Sequence, residues 1–235
     1  KGIYALMEKV NEQHYARLMG VSRDSVTVMK AWANPGSEYY ETVIRFAQEN
    51  DLTDAKNYAR FCELVDIDCL IDWMIIEGYS ANTDLSTGNL RYARTTEGDG
   101  KWRFMLYDMD ATLRASGSIF GNVLKPSSTQ SAVFITQLVN NPDFRARFLS
   151  RAGEVLSTTL SNANVDAEIV RLAAEIEPEV ARDCVFNKTT PAQWRSAVAE
   201  LRATITERDW NAKCIAAIGQ YMKLSPEEMQ EYFHR

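Results

Sequence analysis

Hydrophobic and polar positions change rhythm several times along the chain, and each change predicts an element. Residues 3–10 alternate around Ile3, Ala5 and Met7, and Val26–Met29 is a short β-branched run. Both predict strands, paired through the polar segment 11–25. Asn34-Pro35-Gly36-Ser37 predicts a turn and an N-cap, with a helix from Ser37 to about Glu49. Thr53 is the expected cap of the next helix, and Asp66 or Asp68 starts a third, whose residues Cys69 to Tyr79 are apolar on nearly every face. A polar loop, 81–89, then breaks the helical rhythm. Leu90–Thr95 and Trp102–Tyr107 read as two strands joined through Glu97-Gly98-Asp99-Gly100, a hairpin signal. From Gln130 the pattern is helical. Helices are expected to start at Asn141-Pro142-Asp143 and at Asn164 or Asp166. A long one is expected from near Pro191 to about Lys223, and a short capped one at Ser225-Pro226-Glu227-Glu228. The fold class is α+β, with a few antiparallel strands and a predominantly helical second half.

Composition narrows the function. In 235 residues, 46% are apolar and 25% charged, which excludes disordered, collagen-like and low-complexity classes. The balance of 26 Lys and Arg against 32 Asp and Glu leaves −6, which argues against a nucleic-acid partner. No run reaches the roughly 18 apolar residues of a membrane span. Lys1 to Glu8 carries neither an initiator Met nor a leader pattern and reads as the inside of a strand, so a longer parent chain is expected.

The residue types bound the chemistry further. There are only two histidines, His14 and His234, so histidine triads and multi-histidine metal sites are disfavoured, and a hard cation held by oxygen ligands fits better. Cys62, Cys69, Cys184 and Cys214 match no zinc spacing and read as buried free thiols, with disulfide pairing left open. The strongest constellation is Asp84-x4-Asn89 followed, one hairpin later, by Asp108-Met109-Asp110. Asp-x4-Asn is the catalytic-loop spacing of kinase-type phosphoryl transfer, in which the Asp takes a hydroxyl proton and the Asn holds a metal. The pair alone is common by chance in a chain of 14 Asp and 13 Asn; its place between an apolar helix and a hairpin ending in Asp108 is what gives it weight. The plainer alternatives are turn residues for Asp84 and Asn89 and helix caps for Asp108 and Asp110. Glycoside hydrolysis by paired carboxylates is a weaker reading, since nothing in the chain resembles a sugar cleft.

Several segments together resemble the CotH kinase family, the spore-coat-protein-H-like proteins with a reduced protein-kinase-like fold. Gly2-Ile3-Tyr4-Ala5-Leu6-Met7-Glu8-Lys9-Val10 is similar to the family's G-x-Y-x-L-x-E-x-[IV] strand, and Val28-Met29-Lys30-Ala31 to its L-Y-K-A step. Asn82-Thr83-Asp84 through Asn89-Leu90-Arg91-Tyr92 resembles its N-x-D…N-[FYW]-x-[LY] loop. Lys101 to Asp110 resembles its K-W-x-x-x-P-W-D-x-D segment, with Leu106 and Tyr107 in place of Pro and Trp. Asn141 to Phe148 and Leu224 to Glu228 extend the likeness to the tail.

The resemblance implies a remnant of a nucleotide-binding lobe over residues 1–36 and a helical lobe over 37–235. It implies Asp84 as catalytic residue, Asn89, Asp108 and Asp110 as metal ligands, and Glu8 and Lys30 at the nucleotide. It further implies ATP with Mg²⁺ or Mn²⁺ as cofactors, a Ser/Thr-bearing protein substrate, and a secreted, cell-surface or spore-coat location. The alternative is a non-catalytic surface or adhesin-type binding module of the same fold.

Overall fold

The computed structural model describes residues 3–4, 8–30, 33–85, 87–114, 117–127 and 129–233. These fall into two units, Lys1–Met7 with Gly153–Ala216, and Glu8–Ala152 with Ala217–Arg235.

The second unit carries the sheet. Asn11 caps helix α1 (Glu12–Met19), its Oδ1 accepting from His14 N at 3.0 Å, and Gly20 closes it at φ 66°. Segment 11–25, expected as a polar link between two strands, is therefore mostly helix. Tyr15 and Ala16 supply the reason: both are buried in one cluster with Val26 and Ala93 of the sheet, a burial that an extended link would forgo. The described part of 3–10 (Ile3, Tyr4 and Glu8–Val10) is not strand, and Ala5–Met7 lie outside the described residues.

Strand β1 (Val26–Lys30) pairs antiparallel with β2 (Arg91–Thr95), which pairs with β3 (Arg103–Met105) across the expected hairpin. The order is β1-β2-β3. Between β1 and β2 the chain forms a helical stretch: a π turn at Tyr40–Ile44 running into α2 (Arg45–Glu49), then α3 (Ala55–Leu64) and α4 (Ile67–Ser80). Asp54, not Thr53, caps α3, accepting from Lys56 N and Asn57 N at 3.0 Å. The Thr53 hydroxyl is taken by Asp51 at 2.7 Å. Asp66 caps α4 as expected. One face of the sheet meets the helices through aromatic rings: Tyr39 stacks on Tyr92 at 4.2 Å, and Phe104 packs edge-on to Tyr92 at 5.0 Å and to Phe134 at 6.1 Å. After β3 come α5 (Gly121–Leu124), α6 (Ala132–Leu138) and α7 (Pro142–Ser157), the last capped by Asn141.

In the first unit α8 (Asn162–Asn187) packs on α9 (Pro191–Ile205), tied by Arg195–Glu177 at 3.0 Å and Arg202–Asp166 at 2.7 Å. Ser161 caps α8, which starts at Asn162, two residues before the earlier of the two expected starts. The expected long helix from Pro191 is two: α9 ends at Ile205, and α10 (Trp210–Met222) begins after Asp209, left-handed at φ 47°, whose carboxylate accepts from Ala212 N. A final α11 (Pro226–Phe233), which belongs to the second unit, starts with a reciprocal box, Ser225 Oγ accepting from Glu228 N and Glu228 Oε2 from Ser225 N. All four thiols are free. No helix among the described residues is long and apolar enough to cross a membrane.

Candidate functional site

All six expected site residues lie in the second unit. Helix α4 ends because Ala81 turns left-handed at φ 48° and the polar run 82–84 follows. Asn82 is buried and organises that run. Its Nδ2 donates to Glu77 Oε2 at 3.0 Å, its Oδ1 accepts from Asp84 N at 3.0 Å, and its carbonyl accepts from Asn122 Nδ2 at 2.9 Å. Thr83 then crosses to the segment after β3: its backbone N and its Oγ1 both donate to Ala111 O, at 2.9 and 3.0 Å. Asp84 is left on an exposed turn, its backbone fixed by neighbours on both sides.

Asn89 closes the loop. Its Nδ2 donates to Asp84 Oδ2 at 2.9 Å and to Asp84 O at 3.1 Å, which leaves the amide oxygen as the ligating atom of that side chain. Asp108 follows β3 at φ 56°, ψ 58°, a left-handed conformation uncommon for a side chain other than glycine. It occupies the N-cap position of the turn Met109–Ala111, but its carboxylate makes no capping hydrogen bond. The helix-cap alternative therefore fails for Asp108. Asp110 lies in the same turn, its carbonyl accepting from Arg114 Nη2 at 3.4 Å.

The fold thus brings Asp84 and Asn89 into direct contact and links them, through Thr83 and Ala111, to the turn bearing Asp108 and Asp110. Lys30 ends β1 directly opposite Arg91, two residues past Asn89. Glu8 lies elsewhere. It is held by Arg17 and by His14 Nδ1 at 3.0 Å, the Arg17 hydrogen bond keeping its carboxyl below the usual range, and it makes no hydrogen bond to the Asp84 loop among the described residues.

Two residues that sequence reasoning passed over carry the geometry. Glu77 is a buried carboxyl in the last turn of α4, pushed up to about 7 by desolvation despite the Asn82 hydrogen bond. Its signal was an acid near the end of a helix expected to be buried on nearly all faces, where Asp72 is the other acid of the apolar stretch. Arg91 ties the loop to the strand end: Nη1 donates to Gly88 O at 2.7 Å, and its guanidinium carbon lies 3.8 Å from the Tyr107 ring centroid.

Among the described residues, no three His, Cys, Asp or Glu side chains gather as a closed metal cage. The donor set nonetheless fits Mg²⁺, which keeps several waters and takes one or two carboxylates together with substrate phosphates. The uncapped Asp108 carboxylate and the Asn89 amide oxygen are donors of that kind.

A sequence model of the family described as CotH kinase protein matches residues 1–212. The Invasin CotH3 of Rhizopus delemar is 27% identical over 173 residues, a stretch that covers 68% of this chain and 29% of that relative. The match therefore spans less than a third of the relative's own length.

Proposed function

We propose, from the premise that this chain belongs to the CotH kinase protein family, that it transfers the γ-phosphate of ATP to a Ser or Thr hydroxyl of a secreted or surface protein. The observation that carries the reading is the Asn82-anchored turn. It holds Asp84 against Asn89 and is hydrogen-bonded through Thr83 to the turn whose first residue, Asp108, keeps an uncapped carboxylate. When bound, Mg²⁺ or Mn²⁺ with ATP supplies the phosphoryl group and the charge that offsets its oxygens. Asn89 and Asp108 would hold the metal, with Asp110 adjacent in the same turn. Asp84 accepts the acceptor hydroxyl's proton as the new O–P bond forms and ADP leaves. The Asn89 donor on Asp84 Oδ2 and the Asn82 acceptor on Asp84 N orient the carboxylate for that step. Lys30 is assigned to phosphate. Glu8 serves the nucleotide only if it leaves Arg17.

The test is intact-mass phosphotransfer with ATP and Mg²⁺ or Mn²⁺, wild type beside Asp108→Ala. Mass gained in 80-Da steps (one phosphoryl group each, about that size) by the wild type alone supports the reading. Absence of metal-dependent nucleotide binding in the folded wild type overturns it. A second reading, a surface binding module of this fold, draws on the relative named as an invasin. It takes over if a protein or glycan ligand binds Asp84→Ala and Asp108→Ala as well as it binds the wild type.

A further inference from the structure

Arg91 is buried, at 8% exposure, and makes no ion pair among the described residues. Its Nη1 donates to two backbone carbonyls, Gly88 O and Leu90 O, each at 2.7 Å, and its plane lies over Tyr107. These partners are neutral: they accept its protons without cancelling its charge. The β1–β2 register adds a second cation, because Lys30 stands directly opposite Arg91. Directly opposed residues of an antiparallel pair share a face, and like charges so placed repel. Lys30 has no ion pair among the described residues either. Two positions further along the same face the register pairs Val28 with Ala93, the apolar kind of pair that covers a sheet without penalty. Lys30 is exposed and water screens its charge, so the cost of burial falls on Arg91, whose charge no anion joins among the described residues.

The location says where that anion would lie. Arg91 follows Asn89 by two residues, Tyr107 immediately precedes Asp108, and Arg91 touches both segments. We infer that Lys30 and Arg91 form a receptor for an oxyanion, a phosphate or a carboxylate, at the Asn89–Asp108 end of the sheet. The inference deepens the phosphotransfer reading, which decides only the source of the anion: a nucleotide phosphate or an acidic group beside the acceptor hydroxyl. A guanidinium forks onto two oxygens of such a group while the lysine ammonium meets it from the neighbouring strand.

Calorimetric titration of the whole chain with inorganic phosphate, with Mg²⁺–ATP and with a Ser-Glu-Glu peptide tests it, using wild type, Arg91→Met, Arg91→Lys, Lys30→Glu and Asp108→Ala. Phosphate is expected to bind the wild type, about tenfold more weakly Arg91→Met, and less than either Lys30→Glu. Arg91→Lys, which keeps the charge, retains part of the affinity and guards against misfolding of Arg91→Met. Without ligand, Lys30→Glu raises the melting temperature by turning a repulsive cross-strand pair into an attractive one. The same ranking with ATP makes the nucleotide the source, and with the peptide alone makes it the acceptor. The receptor is overturned if the wild type binds none of the three probes, or if Arg91→Met and Lys30→Glu bind them as the wild type does. ATP binding lost in Asp108→Ala but kept in Lys30→Glu sinks this inference and spares the kinase reading. Phosphate binding lost in Lys30→Glu, in a chain that never binds ATP, does the reverse.

Discussion

Glu77 and Asp108 are two carboxyl groups with opposite costs at the same site. Glu77 sits in the apolar last turn of α4, where burial favours its protonated form and raises it from 4.5 to about 7. The folded chain therefore holds this proton to higher pH than the unfolded chain does. Its contribution to stability is full below about pH 4.5 and is lost as pH rises toward 7, by up to about 3 kcal/mol. Urea unfolding at about pH 5 and about pH 7.5 should show that slope in the wild type and a flattened one in Glu77→Gln; equal slopes would mean that the carboxyl is solvated. Asp108 bears backbone strain instead, at φ 56°. Asp108→Gly relieves that strain but loosens the unfolded chain, so the variant should be at least as stable as its parent, with a gain of no more than about 1 kcal/mol. The same variant should lose metal-dependent nucleotide binding. Thermal unfolding and ATP titration on one sample check both halves, and a strongly destabilised Asp108→Gly would show that the carboxylate supports the fold.

The elements around the site were legible where side chain and backbone told the same story. Asp66 before an apolar helix, Gly98 and Gly100 between two strand-like runs, and Ser225-x-x-Glu228 each predict a boundary that the structure has. Helix α1 was hidden because it buries only Tyr15 and Ala16 while its other apolar residues, Leu18 and Met19, are exposed, so no apolar stripe stands out before the sheet is known. The break at Asp209 was hidden because neither Gly nor Pro marks it and apolar residues recur on both sides of it. What sequence could not carry at all is close approach between distant segments. Gly78, inside α4, has the Phe120 ring where a side chain would go: a Cβ there would lie 2.3 Å from a ring carbon. Phe120 N also donates to Gly78 O at 3.0 Å, so the ring cannot simply withdraw. Gly78→Ala improves helix propensity by about 1 kcal/mol yet should destabilise the chain overall, because overpacking costs about 1–3 kcal/mol and displaces the segment that leads to Asn122. Denaturant unfolding gives the sign. A Gly78→Ala, Phe120→Leu double variant should recover part of the loss, and simple additivity would place the strain elsewhere.

For the whole molecule, ordered short motifs made the family legible from sequence, and the match over residues 1–212 bears that out. The roles within it were less legible, because they depend on contacts such as Asn82 with Glu77 and Thr83 with Ala111 that join segments five to twenty-eight residues apart. The thiols give a readout that spans both units. Cys184 and Cys214 are buried in one unit, while Cys62 and Cys69 are half-buried in the other. Thiolate is the reactive form, and desolvation raises Cys62, pushes Cys69 up to about 11, and raises Cys214 further. Cys69 also donates to Phe104 O at 3.3 Å, so its reaction requires that the α4–β3 contact open. Against an unperturbed thiol of pKa 9.0, Cys69 should react about a hundredfold more slowly with a thiolate-selective reagent near neutral pH. The expected order on the native chain is Cys62 first, Cys69 next, and Cys184 and Cys214 only as their unit unfolds. Peptide-resolved alkylation across a urea series reads that order directly, and rapid labelling of Cys214 in the native chain would show that the core about α10 opens without global unfolding.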